Sequence, residues 1–362
     1  MNSIVFDCKL ITPLFLGSSH PEESELRSVG LKRVLRFWWR VRNVHFPGGV
    51  SDRSKFIQKE NDLFLPGGGR SKFFLYISVR PDPDDFETGI WNLIDSRILE
   101  NGKGRKYRIP GFSRTGMHYL FYSHFMDTKQ YVKPGSKFKI KLTIIDPKYQ
   151  DEILDAFLLM YLFGGLGINS RKGAGTYEIL KVQSKEITSH PLLEFLKLQN
   201  SSLSEFKKFL LEKRLFQESG SESLFLNRKI QLMIFQGRDS WEEALEFLGK
   251  SLLRFQNKKN WRIISFPKFF HLQKEKIHFL PTEGISNQNP SGRIDKRFFP
   301  IILKVLKING YFYPFLLYIP GLNRLDNQPV AKGESMSLKI QKFLKSIMNM
   351  ESESKFTEII DK

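Results

Sequence analysis

Apolar and polar residues follow two rhythms along this chain. Near-alternation predicts strands over residues 3–11, 72–80, 136–146 and 175–183. A spacing of three to four predicts helices over 28–44 and 148–163, the second with an apolar stripe running from Ile153 to Phe163. In sequence these elements read β-α-β-β-α-β, the order of a ferredoxin-like split β-α-β unit. Residues 81–135 separate its second and third strands, and a stretch that long without a role is uncommon, so it reads as a functional insertion.

Beyond this unit the pattern turns helical over 184–225 and ends in the polar cluster Gln217–Ser223, which suits a domain boundary. A second unit opens with the strand-like Lys229–Phe235. A helix from Ser240 follows, with Ser240 as N-cap and Glu243 closing a capping box. Phe298–Leu306 and Tyr311–Ile319 predict a hairpin turning at Asn309-Gly310, and a further helix is predicted over 335–348. The expected architecture is α+β, with two ferredoxin-like (RRM-like, βαββαβ) domains carrying insertions. The first covers 1–217, with the insertion at 81–135 and a glycine-rich loop at 164–175. The second, less regular, covers 224–350, and 351–362 form a tail.

Composition sharpens this picture. The 362 residues are 41% hydrophobic with 33 phenylalanines, enough for a sizeable core and against disorder. Lys and Arg outnumber Asp and Glu by 57 to 38, a net charge of +19 that points to a polyanionic partner. No apolar run is long enough to span a membrane, and Met1–Asp7 does not read as a signal peptide. The single cysteine, Cys8, falls in a predicted strand and reads as a core residue in a reducing compartment, so a cytoplasmic location is expected.

The segment Phe163–Thr176 carries five glycines, Gly164, Gly165, Gly167, Gly173 and Gly175, around Arg171-Lys172. Glycine lets backbones approach closely, and the cations beside it point to a phosphate backbone as the approaching chain. A P-loop or dinucleotide fingerprint runs strand, glycines, helix. Here a helix precedes and a strand follows, which argues against an ATP or NAD site; no cofactor is expected. A ligand-free helix-to-strand turn is the alternative.

Between residues 31 and 43 the helix places Leu31, Val34, Leu35, Trp38 and Val41 on one side. Lys32, Arg36 and Arg40 recur on the other, with Arg33 adjacent. Their side chains would stand about 6 Å apart, close to the spacing of successive phosphates; a merely solvated face is the alternative. Trp38 reads as core. Trp39, at the border, is either core edge or a stacking platform for a base. The seven histidines (20, 45, 118, 124, 190, 271 and 278) show no metal-ligand spacing; His118 and His124 would point to different helix faces. Asp82–Asp85 reads as an exposed acidic turn.

Four blocks carry a family resemblance: Thr12–Gly17 with Glu25–Arg27, Leu35–Arg40, Phe163–Gly175, and Arg293–Lys304 with Tyr313-Pro314. By these blocks the chain resembles the RAMP superfamily of CRISPR proteins and, within it, the family of first subunits of the type III-B (Cmr) effector complex. Arg33 departs from the small residue common there. The resemblance implies a non-catalytic RNA-binding subunit near the 3′ end of the guide RNA that helps capture single-stranded target RNA beside other RAMP subunits. It maps RNA contact onto Lys32, Arg36 and Arg40 and onto Gly164, Gly165, Gly167, Arg171, Lys172 and Gly173. Arg33, Trp39, Arg108, Arg114, Arg293, Lys296 and Arg297 join them on charge or ring chemistry alone. The runner-up is a metal-independent RAMP endoribonuclease processing CRISPR repeat RNA, with His20 or Tyr119 as acid or base. A scaffold whose basic surface meets acidic subunits is the third reading. Under the leading reading, the cationic helix and the glycine loop converge on one surface that grips RNA.

Overall fold

The structure is a computed structural model that describes residues 2–16, 28–43, 50–64, 71–89, 96–100, 106–110, 115–125, 130–184, 190–213, 231–259, 301–319, 342–344 and 347. In chain order the elements begin with β1 (Asn2–Leu10), β2 (Leu14–Phe15), α1 (Ser28–Asn43), α2 (Val50–Phe64) and β3 (Phe73–Val79). The insertion holds β4 (Phe86–Thr88), β5 (Ser96–Glu100), β6 (Lys106–Pro110), α3 (Thr115–Phe125) and β7 (Gln130–Val132). Then come β8 (Lys137–Ile144), α4 (Gln150–Phe163), β9 (Tyr177–Ser184), α5 (Pro191–Leu198) and α6 (Leu203–Glu212). The remainder contributes β10 (Gln231–Ile234), α7 (Trp241–Lys259), β11 (Ile301–Ile308) and β12 (Tyr311–Tyr318).

The first six predicted elements appear where the hydrophobic rhythm puts them. Strands β3, β8, β1 and β9 form one antiparallel sheet in that order, so two β-α-β crossovers interleave. Alternation in β1 sends Ile4, Phe6, Cys8 and Leu10 to one face, where α1 and α4 cover them. Phe6 stacks on Phe157 of α4 at 4.4 Å between ring centroids. Helix α4 is buried on almost every side from Ile153 to Phe163, because the sheet, α1, α5 and β11 all pack on it. That enclosure is why its pattern is a continuous apolar run rather than a stripe.

A second core lies against the sheet β10-β12-β11. Asn309 and Gly310, with φ of 48° and 83°, make the tight turn that the Asn-Gly pair predicts. Ser240 accepts a hydrogen bond from the Glu243 amide at 3.2 Å and so caps α7. Phe343, Leu344 and Ile347, from the helix predicted over 335–348, are buried in this core.

The described part of the insertion carries strands and a helix, and that helix, α3, serves the second core. Gly116 of α3 and Gly249 of α7 let the two helices meet at backbone distance. Glu246, almost fully buried on α7, accepts the amides of Gly116 at 3.0 Å and Met117 at 2.8 Å, which would otherwise be unmet donors at the start of α3. Among the described residues this unit holds three strands and α7, so a second βαββαβ set is not among them.

Helix α2 is absent from the sequence reading. Its inward positions are Phe56, Glu60, Leu63 and Phe64, a helical stripe in which a carboxylate holds one apolar place. That carboxylate hides the period.

Candidate nucleic-acid interface

Glu60 changes the meaning of the basic helix. Arg40 is buried and grips Glu60 with two donors, Nε on Oε1 and Nη2 on Oε2 at 2.9 Å. Arg36 Nε donates to the same carboxylate at 2.7 Å, and its guanidinium lies over the Phe64 ring. Burial alone would raise the Glu60 carboxyl's pKa; the hydrogen bonds and charges of Arg40 and Arg36 outweigh it and hold the group below the usual range. Lys32 donates to Ser71 Oγ at 2.9 Å and sits over Phe73.

The expected row of free cations is therefore corrected. Arg36 and Arg40 form a structural ion cluster with α2, and of the four only Arg33 is exposed. Trp39 is corrected too: it is fully buried, packs on Phe56 and Phe64, and donates Nε1 to Glu152 at 2.7 Å. No base can stack on it in this state.

The glycine loop is built mainly for its own fold. A Cβ at Gly164 would press on the Met160 carbonyl and the Trp38 indole, one at Gly165 on the Ala174 carbonyl, and one at Gly173 on Leu245. Gly167, Gly173 and Gly175 have positive φ of 71°, 89° and 63°. Thr12 from the Thr-Pro-Leu-Phe-Leu-Gly block clamps the C-terminal end of the loop: its Oγ1 donates to Gly173 O at 2.8 Å and accepts from Thr176 N at 2.9 Å. Gly175 N adds a bond to Pro13 O at 2.8 Å, and Ile168 N one to Phe15 O at 2.7 Å. On the far side the loop joins β11: Leu303 N donates to Arg171 O at 2.8 Å, and Lys172 pairs with Leu303.

The loop meets the basic helix at Phe37, an apolar position of that helix: the Arg171 guanidinium lies 4.6 Å from the centre of its ring. Arg171 and Lys172 are half-buried and Gly167 is exposed, while Gly164, Gly165, Gly173 and Gly175 are buried. Desolvation pulls the Arg171 guanidinium down to about 10 and the Lys172 ammonium to about 7. An arriving phosphate favours the charged form of both.

Lys304, which sequence reasoning missed, braces this seam from below. It is buried and donates to Tyr161 O and, at 2.6 Å, to Gly164 O, the carbonyls left open at the end of α4. Its pKa falls to about 7 through desolvation. The visible signal was a lone lysine inside the apolar run Ile301–Leu306.

Arg108 lies on β6, whose side chains are outside the described set; Arg114, Arg293, Lys296, Arg297 and His20 lie outside the described residues. Tyr119 is half-buried on α3 against the second core. Among the described residues no group of three or more His, Cys, Asp and Glu could hold a metal ion, and no helix is long and apolar enough to cross a membrane.

The profile of the RAMP superfamily matches residues 7–178. The Cmr1-2 subunit of the CRISPR Cmr system of Pyrococcus furiosus is 28% identical over 197 residues, covering 51% of this chain and 96% of that protein. In fold, the crystal structure of apo Cmr1 from Pyrococcus furiosus superposes with a TM-score of 0.59 at 19% identity, covering 99% of each chain. A chain of a type III-B Cmr-beta complex, solved with cognate target RNA, AMPPnP and single-stranded DNA, gives 0.56 at 13% identity over 96% of this chain and 99% of that one. The resemblance read from the four sequence blocks is matched by these comparisons: residues 7–178 are similar to the RAMP superfamily, and the chain shares the fold of Cmr1.

Proposed function

We propose that this chain, whose residues 7–178 are RAMP-superfamily sequence, is a non-catalytic RNA-binding subunit of a type III-B CRISPR effector complex. It sits near the 3′ end of the guide RNA, helps capture target RNA, and works in the cytoplasm beside other RAMP subunits. The carrying observation is the relation to a Cmr1 subunit across 96% of that protein's length. The +19 charge supports RNA as partner, because a chain that meets only protein needs no such excess. The chain is taken as two ferredoxin-like units, 1–217 and 224–350, the second less regular.

Within the first unit, the RNA-contacting part of the seam is Arg33, Arg171, Lys172 and the exposed turn at Gly167. Arg36, Arg40 and Trp39 act beneath it as support. Substituting Arg171→Met with Lys172→Met keeps the aliphatic packing and removes the charge. Affinity for single-stranded RNA is expected to weaken by on the order of 1–3 kcal/mol. The slope of log K against log salt should shrink by about 0.7 per lost phosphate contact. Fluorescence anisotropy across a salt series measures both, and an unchanged slope removes the loop from the interface.

A further inference from the structure

Helices α1 and α4 cover one face of the four-stranded sheet, and among the described residues the other face has an unusual composition. Residues directly opposite in antiparallel strands share a face. Lys137, Lys139 and Lys141 alternate along β8 on the side away from the helices, about 7 Å apart by strand geometry. Lys9 of β1 stands opposite Lys137, and Lys181 of β9 is opposite Asp7. On the neighbouring strand β3, Tyr76 stands opposite Lys141 and Phe74 opposite Thr143.

A solvated sheet face is polar by default, but it has no reason to carry one sign of charge. Here five lysines meet two acids. Asp7 is taken by Lys139 at 3.0 Å and by Gln183 Nε2 at 3.2 Å, and Glu178 is taken by Lys307 of β11 at 3.1 Å. Lys9, Lys137, Lys141 and Lys181 make no ion pair among the described residues. Lys9 facing Lys137 is a like-charge pair, which costs the sheet stability. Phe74 is 45% exposed on the same face, and Tyr76 beside it is half-exposed. The exposed part of the Phe74 ring gains nothing from the fold.

We infer that this open face, with its lysines on β1, β8 and β9 and its rings Phe74 and Tyr76 on β3, is a binding surface for single-stranded RNA. The lysines take phosphates while the two rings stack bases. Rings of this kind on a four-stranded sheet suit unpaired bases, whose faces are free; a duplex hides them. Charge complementarity favours RNA over an apolar protein partner. The surface deepens the RNA-binding reading and rests on it, yet it is separate from the loop seam and has its own test.

The full chain is titrated with a fluorescein-labelled single-stranded RNA of mixed sequence, and with the same RNA as a duplex. Lys137→Gln with Lys141→Gln should weaken single-strand binding about tenfold and flatten the salt slope by about 0.7 per lysine. Phe74→Leu with Tyr76→Leu should cost about tenfold on the single strand and leave duplex binding unchanged. Lys208→Gln on α6, 74% exposed and away from the sheet, serves as the charge control and should change neither. Wild-type affinity in both sheet variants, with Arg171→Met and Lys172→Met still weakening binding, would overturn the sheet surface and leave the RNA reading standing. Sheet variants that keep RNA affinity but lose copurifying subunits would make the face a protein dock, which also overturns it. A wild-type chain that ignores RNA both alone and in the assembled complex defeats both readings.

Discussion

Glu60→Ala is expected to destabilise the chain by roughly 3–5 kcal/mol, the range found when one partner of a buried ion pair is removed. The substitution takes the Glu60 carboxylate away from Arg40, 9% exposed, and from Arg36, which shares one of its oxygens. The wild-type cluster has a pH signature as well. Glu60 holds its proton more weakly folded than unfolded, so its contribution is fully present above the unfolded carboxylate range, near 4.5. It is lost as pH falls through the lower folded value. Urea midpoints at neutral pH and at pH 4 measure both effects: the gap between wild type and Glu60→Ala should be wide at the first and narrower at the second. A gap that does not change with pH would mean the carboxylate does not act through its charge. Arg40→Met with Glu60→Met, which removes the two most buried charges of the cluster, should recover part of the loss, because the remaining cation, Arg36, has a side chain 22% exposed to water.

The second large effect is expected at Gly175→Ala. Position 175 has φ of 63°, where an L side chain costs about 1–2 kcal/mol. A Cβ there also overlaps the Leu166 carbonyl, whose own amide donates to Gly175 O at 2.9 Å, so the two strands of the loop must part. Together these put the loss on the order of 3 kcal/mol, with overpacking supplying the remainder. Since Thr12, Pro13 and Leu303 all anchor on this loop, thermal unfolding followed by tryptophan fluorescence should show a clear drop in midpoint. Gly135→Ala makes the comparison: its φ is also positive, at 93°, but open space surrounds it. It should lose only the backbone share. Equal losses at the two sites would deny the close approach at 175.

These sites show where the sequence was legible. The alternating strands and both crossover helices stand within two residues of their predicted limits, because one buried face imposes a period that local residues carry. The Asn309-Gly310 hairpin was readable for the same reason: its turn chemistry is local. Helix α2 was not, because Glu60 occupies a core position and gains its meaning only from Arg36 and Arg40 about 20 residues earlier. The cationic row on α1 was visible, but periodicity cannot say whether an acid elsewhere will cover it. Glycine content likewise signalled close approach without naming the approaching chain. At positions 164, 165, 173 and 175 that chain is the protein itself. The lysine alternation on β8 was present in Lys137–Lys141, yet its weight emerges only once β1 and β9 align their own lysines beside it.

The central claim is that this chain holds RNA within a type III-B assembly. Ultraviolet crosslinking of the assembled complex on guide and target RNA, read by mass spectrometry of nucleotide-bearing peptides, tests it most directly. The account predicts nucleotides on peptides containing Arg171 and Lys172 and on those from β3 and β8. Nucleotides confined to neighbouring subunits, with this chain linked only to protein, would contradict it.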